Sequence, residues 1–381
     1  MDLIYGLTLR DRTTQAAVPV PATTVSATAS TATTSAATTS AVPTSAVPTS
    51  AATASTATTS AATMLWPLSK IYKKDFDDGR NEQIVEEFEQ IEADTAEFAS
   101  EVVQYWRGQP PRNWRYSNLR PVVFQTRYTH DKIPFVDANK IYLPDGVQTV
   151  IGAAPKPESF FDWWFMVSDL SVKVIVMLTD YIEKGKSKAD PYIPQPGETV
   201  TYRNGDDTIS VTCVLCPQEP DYRNITQHVL TVKLNGKEQI VQHLHYIGWP
   251  DHGVIKGDVP LTEFARLVER YRWATADMED GEHTLVHCSA GIGRSGTFVA
   301  IDHLLRVIWK KREDALRSCE CCEDGCKDLG HIMDTLDSIE ISVESIVREM
   351  RTMRTGLVQT AEQYAFIFEF ICWLIRNGYL D

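Results

Sequence analysis

Cys288 stands at the end of a short apolar run, Thr284 to His287, and is followed by Ser289-Ala290-Gly291-Ile292-Gly293-Arg294-Ser295-Gly296 and then an apolar stretch of helical character. A strand, a loop punctuated by glycines and a helix start together make an oxyanion cradle. Glycines let successive backbone N–H groups turn inward, and the helix adds the positive end of its dipole. A phosphoryl group fits there. Cys288 lies at the mouth of the cradle, whose field favours thiolate over thiol; an unperturbed cysteine, with a pKa of about 8.5, is only a few per cent ionised at pH 7. Arg294 carries a planar fork suited to two oxygens of a phosphoryl group while its charge redistributes. His287 is a sequence neighbour of Cys288 on a strand, so the two point to opposite faces; His287 is expected to order the loop, not to activate the thiol.

These groups need elements to hold them. Ile84, Phe88, Ile91, Thr95, Phe98, Val102 and Tyr105 recur at three- and four-residue spacing, which predicts an amphipathic helix. Val172 to Leu178 reads as a buried strand, and further strands are expected at Ile209 to Leu215, Val229 to Leu234, Ile240 to Tyr246 and Thr284 to His287. Helices are expected over Asp258 to Trp273, Ser295 to Lys311, Ser342 to Arg354 and Thr360 to Arg376. Strands and helices interleave without a strict alternation, which predicts an α/β domain with a twisted mixed sheet flanked by helices.

Composition limits the rest. The 381 residues carry a net charge of −14 and a pI near 5.2, which speaks against nucleic acid as a ligand. Ala16 to Thr63 contains only Ala, Thr, Ser, Val and Pro and repeats STATTSAAT. Such side chains bury too little to offset about 1–2 kcal/mol per ordered residue, so residues 1–63 are expected to be a disordered tail and 64–381 the folded domain. No run reaches the roughly 18 apolar residues of a membrane span, and the first residues lack the core of a signal peptide. The eight cysteines are therefore expected to be thiols in a cytoplasmic protein.

HCSAGIGRSG resembles the active-site signature of the tyrosine-specific protein phosphatases, and the resemblance runs from about Trp66 to Asp381. Trp249-Pro250-Asp251 resembles the family's mobile acid loop, which implies that Asp251 protonates the leaving phenolate and then activates water. Trp249 and Gly253 suit a lid with a packed anchor and a flexible end. Gln359-Thr360-Ala361-Glu362-Gln363 resembles the glutamine loop, implying that Gln359 positions water beside Gln363. Arg127-Tyr128 resembles the loop whose tyrosine stacks on the phosphotyrosine ring. Glu183-Lys184-Gly185-Lys186-Ser187-Lys188 is similar to a further family loop, in which Glu183 pairs with Arg294 and Lys188 approaches Asp251. The serine that helps the thiolate leave falls on Ser295. The resemblance implies tyrosine-phosphorylated proteins as substrates and no cofactor or catalytic metal.

Two departures accompany it. An extra residue after Tyr128 leaves either His130 or Asp131 facing the substrate backbone, and the family's Gln-Gly-Pro reads Ala153-Ala154-Pro155. They keep open an alternative, a catalytically weak pseudophosphatase acting as a binding module for phosphotyrosine proteins. The segment 313–344 holds ten acidic and two basic residues, so it is expected to be a surface insertion. Within it Cys319, Cys322, Cys326 and His331 have zinc-ligand spacing, although an acidic excursion with exposed thiols is the preferred reading.

Overall fold

The side chains of Val172 to Leu178 alternate between two cores: Val174, Val176 and Leu178 enter one, while Ile175 and Met177 enter the other, all fully buried. Such a strand must lie inside a sheet covered on both faces. In the computed structural model, which describes residues 66–67 and 82–379 except 106–113, 117–118, 120, 124, 134, 145, 216–222, 251–252 and 318–338, it does. The central sheet is formed by β2 (Ala138–Ile141), β3 (Thr149–Gly152), β4 (Val172–Met177), β7 (Thr199–Asn204), β8 (Asp207–Leu215), β9 (Ile225–Leu234), β10 (Lys237–Tyr246) and β11 (His283–His287). Their order is β2-β3-β11-β4-β10-β9-β8-β7. The middle pairings β3·β11, β11·β4 and β4·β10 are parallel and the outer ones antiparallel, so the sheet is mixed, as expected.

Short pairs complete the strands: β1 (Trp66–Pro67) with β12 (Glu340–Ile341), and β5 (Ile182–Glu183) with β6 (Lys186–Ser187). One face of the sheet is covered by α1 (Glu82–Tyr105), α3 (Asp258–Ala274), α4 (Gly293–Arg317), α5 (Val343–Met353) and α6 (Ala361–Arg376). The other is covered by α2 (Phe160–Asp169), whose Trp163 and Trp164 are buried against β4, Val211 and Val232. Helices α5 and α6 start where expected because Ser342 and Thr360 cap them, their side chains accepting from the N–H groups of Ser345 and Gln363. The helix α2 escapes periodicity because FFDWWFMVSD is apolar on nearly every side.

Among the described residues no helix is long and apolar enough to cross a membrane. The tail at 1–63 and the cluster Cys319, Cys322, Cys326 and His331 lie outside the described residues.

Candidate active site

β11 runs between β3 and β4, both parallel to it, and delivers Cys288 to the carboxyl end of the sheet. Its alternation fixes the two neighbours: Val286 and Cys288 face the α4 side, while Leu285 faces α2. His287 follows Leu285, its ring packing on Trp163 and Tyr192. It is fully buried, and burial, helped by His245 and Arg115, pushes its pKa down to about 3. A neutral His287 must donate from Nδ1 to the Cys288 carbonyl at 3.1 Å, so its Nε2 accepts from the Tyr192 hydroxyl at 2.6 Å. The Tyr192 oxygen then accepts from His243 Nε2 at 2.9 Å. Every proton in this chain points toward the Cys288 carbonyl, so His287 is tied to the backbone where the loop begins.

The loop after Cys288 has each carbonyl engaged. The Ser289 carbonyl accepts from Ala154 N at 3.0 Å, and the Ile292 carbonyl from the N–H groups of Gly296 and Val358, each at 3.2 Å. Arg354, wholly buried, donates to the carbonyls of Gly291 at 2.7 Å and Ala290 at 3.1 Å. Asp137 and Asn139 hold Arg354 itself, at 2.8 and 2.9 Å. With its carbonyls taken up, the loop leaves the N–H groups of Ser289 to Gly293 with no acceptor among the described residues. Free N–H groups so arranged, at the start of a helix, suit an anion. Gly291 is required twice over: its φ is +66°, and a Cβ there would lie 2.0 Å from the Gly152 carbonyl oxygen.

The cradle opens into a pocket enclosing about 530 Å³ of empty space, part of it solvent, lined by Cys288 to Ala290, Ile292 to Arg294, Lys188, Gln359, Gln363, Tyr116 and Leu119. Arg294, only 4% exposed, is gripped by Glu183, whose two carboxylate oxygens accept from Nη1 and Nη2 at 2.6 Å each. Burial raises the Glu183 pKa, but the bonds and charge of Arg294 with the Thr179 hydroxyl outweigh it and hold the carboxyl below its usual range. Ser295, in the first turn of α4, is fully buried and its hydroxyl has no hydrogen-bond partner among the described residues. Gln359 and Gln363 are joined, the Gln359 N–H donating to Gln363 Oε1 at 3.0 Å. Arg351 fixes their loop by donating to the carbonyls of Leu357 and Val358 at 2.9 and 2.7 Å.

Trp249 is buried against Phe264 and Phe366 with Nε1 donating to the Gly253 carbonyl at 3.0 Å. Asp251 lies outside the described residues.

The expectation for Tyr128 is corrected. Tyr128 is 4% exposed, does not line the pocket, and its hydroxyl donates to Asp169 at 2.9 Å. The tyrosine at the pocket is Tyr116, whose hydroxyl bonds the Ser289 hydroxyl at 2.7 Å. Since Ser289 Oγ donates to the Lys188 carbonyl at 2.6 Å, it accepts from Tyr116. Arg115, bound to the carbonyls of Ala154 and Pro155 and to Asp190, fixes the segment. His130 and Asp131 do not line the pocket either; the His130 ring packs on Phe165. The sequence does hold the signal, since Arg115-Tyr116 is a second Arg-Tyr pair twelve residues before the first one considered.

A family model of protein-tyrosine phosphatases matches residues 115–373, beginning at the Arg115-Tyr116 pair. The chain belongs to the protein-tyrosine phosphatase family. It is 30% identical over 272 residues to the Lar-like tyrosine-protein phosphatase of Caenorhabditis elegans, covering 69% of this chain and 10% of that protein. It is likewise 30% identical over 269 residues to the receptor-type tyrosine-protein phosphatase eta of Mus musculus, covering 69% and 19%. Identity to the phosphatidylinositol phosphatase PTPRQ of Rattus norvegicus is 31% over 223 residues, covering 58% and 8%. The chain thus spans about a fifth or less of the length of these relatives. A solved structure of PTPN18, from work on that protein's fingerprint on distinct HER2 tyrosine phosphorylation sites, has the same fold, with a TM-score of 0.61 at 24% identity over 77% of this chain and 96% of that one.

Proposed function

We propose that this chain hydrolyses phosphotyrosine in proteins through a phosphocysteine intermediate. The observation that carries the reading is the pocket itself, lined together by Cys288, the loop that follows it and an Arg294 fork held by Glu183. The thiolate attacks phosphorus, the S–P bond forms and the bond from phosphorus to the aryl oxygen breaks. Asp251 gives its proton to the departing phenolate. Arg294 and the loop N–H groups hold the phosphoryl oxygens as their charge shifts. In the second step water, placed by Gln359 and Gln363, forms a new O–P bond, the S–P bond breaks, and the water's proton goes to Asp251. The Ser295 hydroxyl, otherwise unbonded, stabilises the leaving thiolate. Tyr116 sets the depth of the pocket and so favours phosphotyrosine over the shorter phosphoserine. The cytoplasm, where thiols stay reduced, is the compartment this reading assigns.

The likeness to a phosphatidylinositol phosphatase supplies a second reading, a phosphoinositide headgroup in the same pocket. A binding module without turnover is weighed against by the presence of Cys288, Arg294 and Glu183 together. One experiment separates all three: turnover by the purified chain of a phosphotyrosine peptide panel and of phosphoinositide vesicles, beside Cys288→Ser. The proposal expects peptide hydrolysis that Cys288→Ser abolishes while still binding phosphopeptide. Hydrolysis surviving in Cys288→Ser, or confined to vesicles, would refute it.

A further inference from the structure

We propose that Lys186 is a specificity determinant that selects phosphotyrosine sites with acidic side chains close by; this rests on the reading of the Cys288 pocket given above. β5 and β6 are joined by a two-residue turn, Lys184-Gly185, with φ of 49° and 73°. Positive φ at both positions matches the strand twist of a tight hairpin and fixes its register. Glu183 pairs with Lys186 and Ile182 with Ser187. Lys188 N donates to the Tyr181 carbonyl at 2.8 Å, extending the ladder one step. Residues directly opposite in an antiparallel pair share a face, and successive pairs alternate. Glu183 turns toward Arg294 and Lys188 lines the pocket. Lys186 therefore projects on that same side, its Cβ about 5 Å from that of Glu183. Ile182, on the opposite face, is 65% exposed, consistent with that face meeting solvent.

Lys186 is itself exposed and forms no ion pair with any other described residue. Its cross-strand partner Glu183 holds Arg294, and of the acidic residues flanking the hairpin in sequence, Asp190 holds Arg115 and Asp180 accepts from the Tyr181 N–H. Lys186 does not line the phosphate pocket, so its charge is offered to what surrounds the phosphotyrosine and not to the phosphate. In a chain of net charge −14, an exposed ammonium on the side of the hairpin that Glu183 and Lys188 share runs against the overall balance. Its partner is a carboxylate or second phosphate on the substrate peptide. An extended chain advances about 3.3 Å per residue, so the anion should lie within about two residues of the phosphotyrosine.

The test uses the full chain and two phosphotyrosine peptides that differ only in having Asp/Glu or Ser/Ala flanks, with Lys186→Ala and Lys186→Glu as variants. The expected result is a lower KM for the acidic peptide by about three- to fivefold, the scale of an exposed ion pair. That ratio should fall to near one in Lys186→Ala, reverse in Lys186→Glu, and shrink as salt rises to about 0.5 M. A ratio unchanged in Lys186→Ala, or absent from the wild type, overturns the proposal. So does a Lys186 dependence seen only on phosphoinositide vesicles. If no peptide is turned over, the catalytic reading fails separately, and affinities of the same two peptides by fluorescence anisotropy decide the matter. A Lys186-dependent preference in binding sustains the proposal; equal affinities reject it.

Discussion

Glu183 grips Arg294 through both carboxylate oxygens at 2.6 Å, and the Thr179 hydroxyl holds one of those oxygens at 2.9 Å. The guanidinium is thus aimed before any ligand arrives. Removing the charge while keeping the shape, as in Glu183→Gln, should let the fork tilt. Misplacement of about 1 Å at a reacting group costs on the order of 10²-fold. The expected outcome is a fall of that order in kcat for a small aryl phosphate, with binding of the phosphate analogue vanadate also weakened. Full activity in a folded Glu183→Gln variant would show that Arg294 needs no such support.

Tyr116 and Tyr128 make opposite forecasts. Tyr116→Ala removes the pocket wall and the bond to Ser289 and should raise KM for phosphotyrosine peptides roughly tenfold, the upper range of an aromatic contact. Tyr128→Phe should leave kcat and KM within twofold and lower stability by about 1 kcal/mol through the lost bond to Asp169. Steady-state kinetics and urea unfolding of both variants check the assignment. The reverse pattern would restore Tyr128 to the site.

Buried histidines make stability depend on pH. Burial holds His287 at about 3 and His243 well below its ordinary value, the latter aided by His245, His228 and His287. In the unfolded chain both titrate near 6.5. Below about pH 6.5 the unfolded state therefore takes up protons that the folded state refuses. Their stabilising contribution is complete above that pH and is lost as pH falls toward 3, by up to about 1.4 kcal/mol per pH unit for each histidine. Urea unfolding from pH 7.5 to 4.5 should show this slope, and His243→Gln should reduce it. An unchanged slope would mean that His243 is protonated in the fold.

The surface insertion expected over 313–344 is narrower: residues 313–317 continue α4 and Ile339, Ile341 and Val343 are buried in the core, so only 318–338 should be dispensable for folding. Lys311 on α4 donates to the Glu340 carbonyl at 2.7 Å, so the chain passing Arg317 has only the last six residues of the helix, about 9 Å, to retrace. About six Gly/Ser residues in place of 318–338 span that distance. The shortened chain should keep its melting temperature within a few degrees and small-substrate kinetics within a few-fold. The zinc alternative forecasts one equivalent of metal in reduced protein and a loss of order on chelation. Unfolding of the shortened, metal-free chain would place the segment in the core.

Much of this was legible because it is local. The cradle occupies ten consecutive residues, and strand-loop-helix order suffices to read it. α1 announces itself through its period of 3.6, and β4 through its continuous apolar, β-branched run. What escaped is either short, flat or remote. β2 and β3 have four residues each; β7, TVTYRN, is an exposed edge without alternation in burial. Arg354 reaches the cradle carbonyls from 63 residues away in sequence and Asp137 supports it from farther still, a closure that no pattern within one segment reveals. Arg115-Tyr116 offers the same local text as Arg127-Tyr128, and only the fold decides which reaches Ser289.

Cys288 and Glu183 belong to parts of the molecule that open on different timescales. β11 is hydrogen-bonded on both sides in the middle of eight strands, so its amides exchange with solvent only through global unfolding. The β5-β6 hairpin has two residues per strand and belongs to no larger sheet, so its amides exchange through local opening. An occupied cradle that draws Arg294 and Glu183 into one network slows exchange in the hairpin while leaving β11, already at its limit, unchanged. Deuterium uptake at residues 181–188 thus reports occupancy of the pocket, and the strand that leads into Cys288 serves as the internal standard.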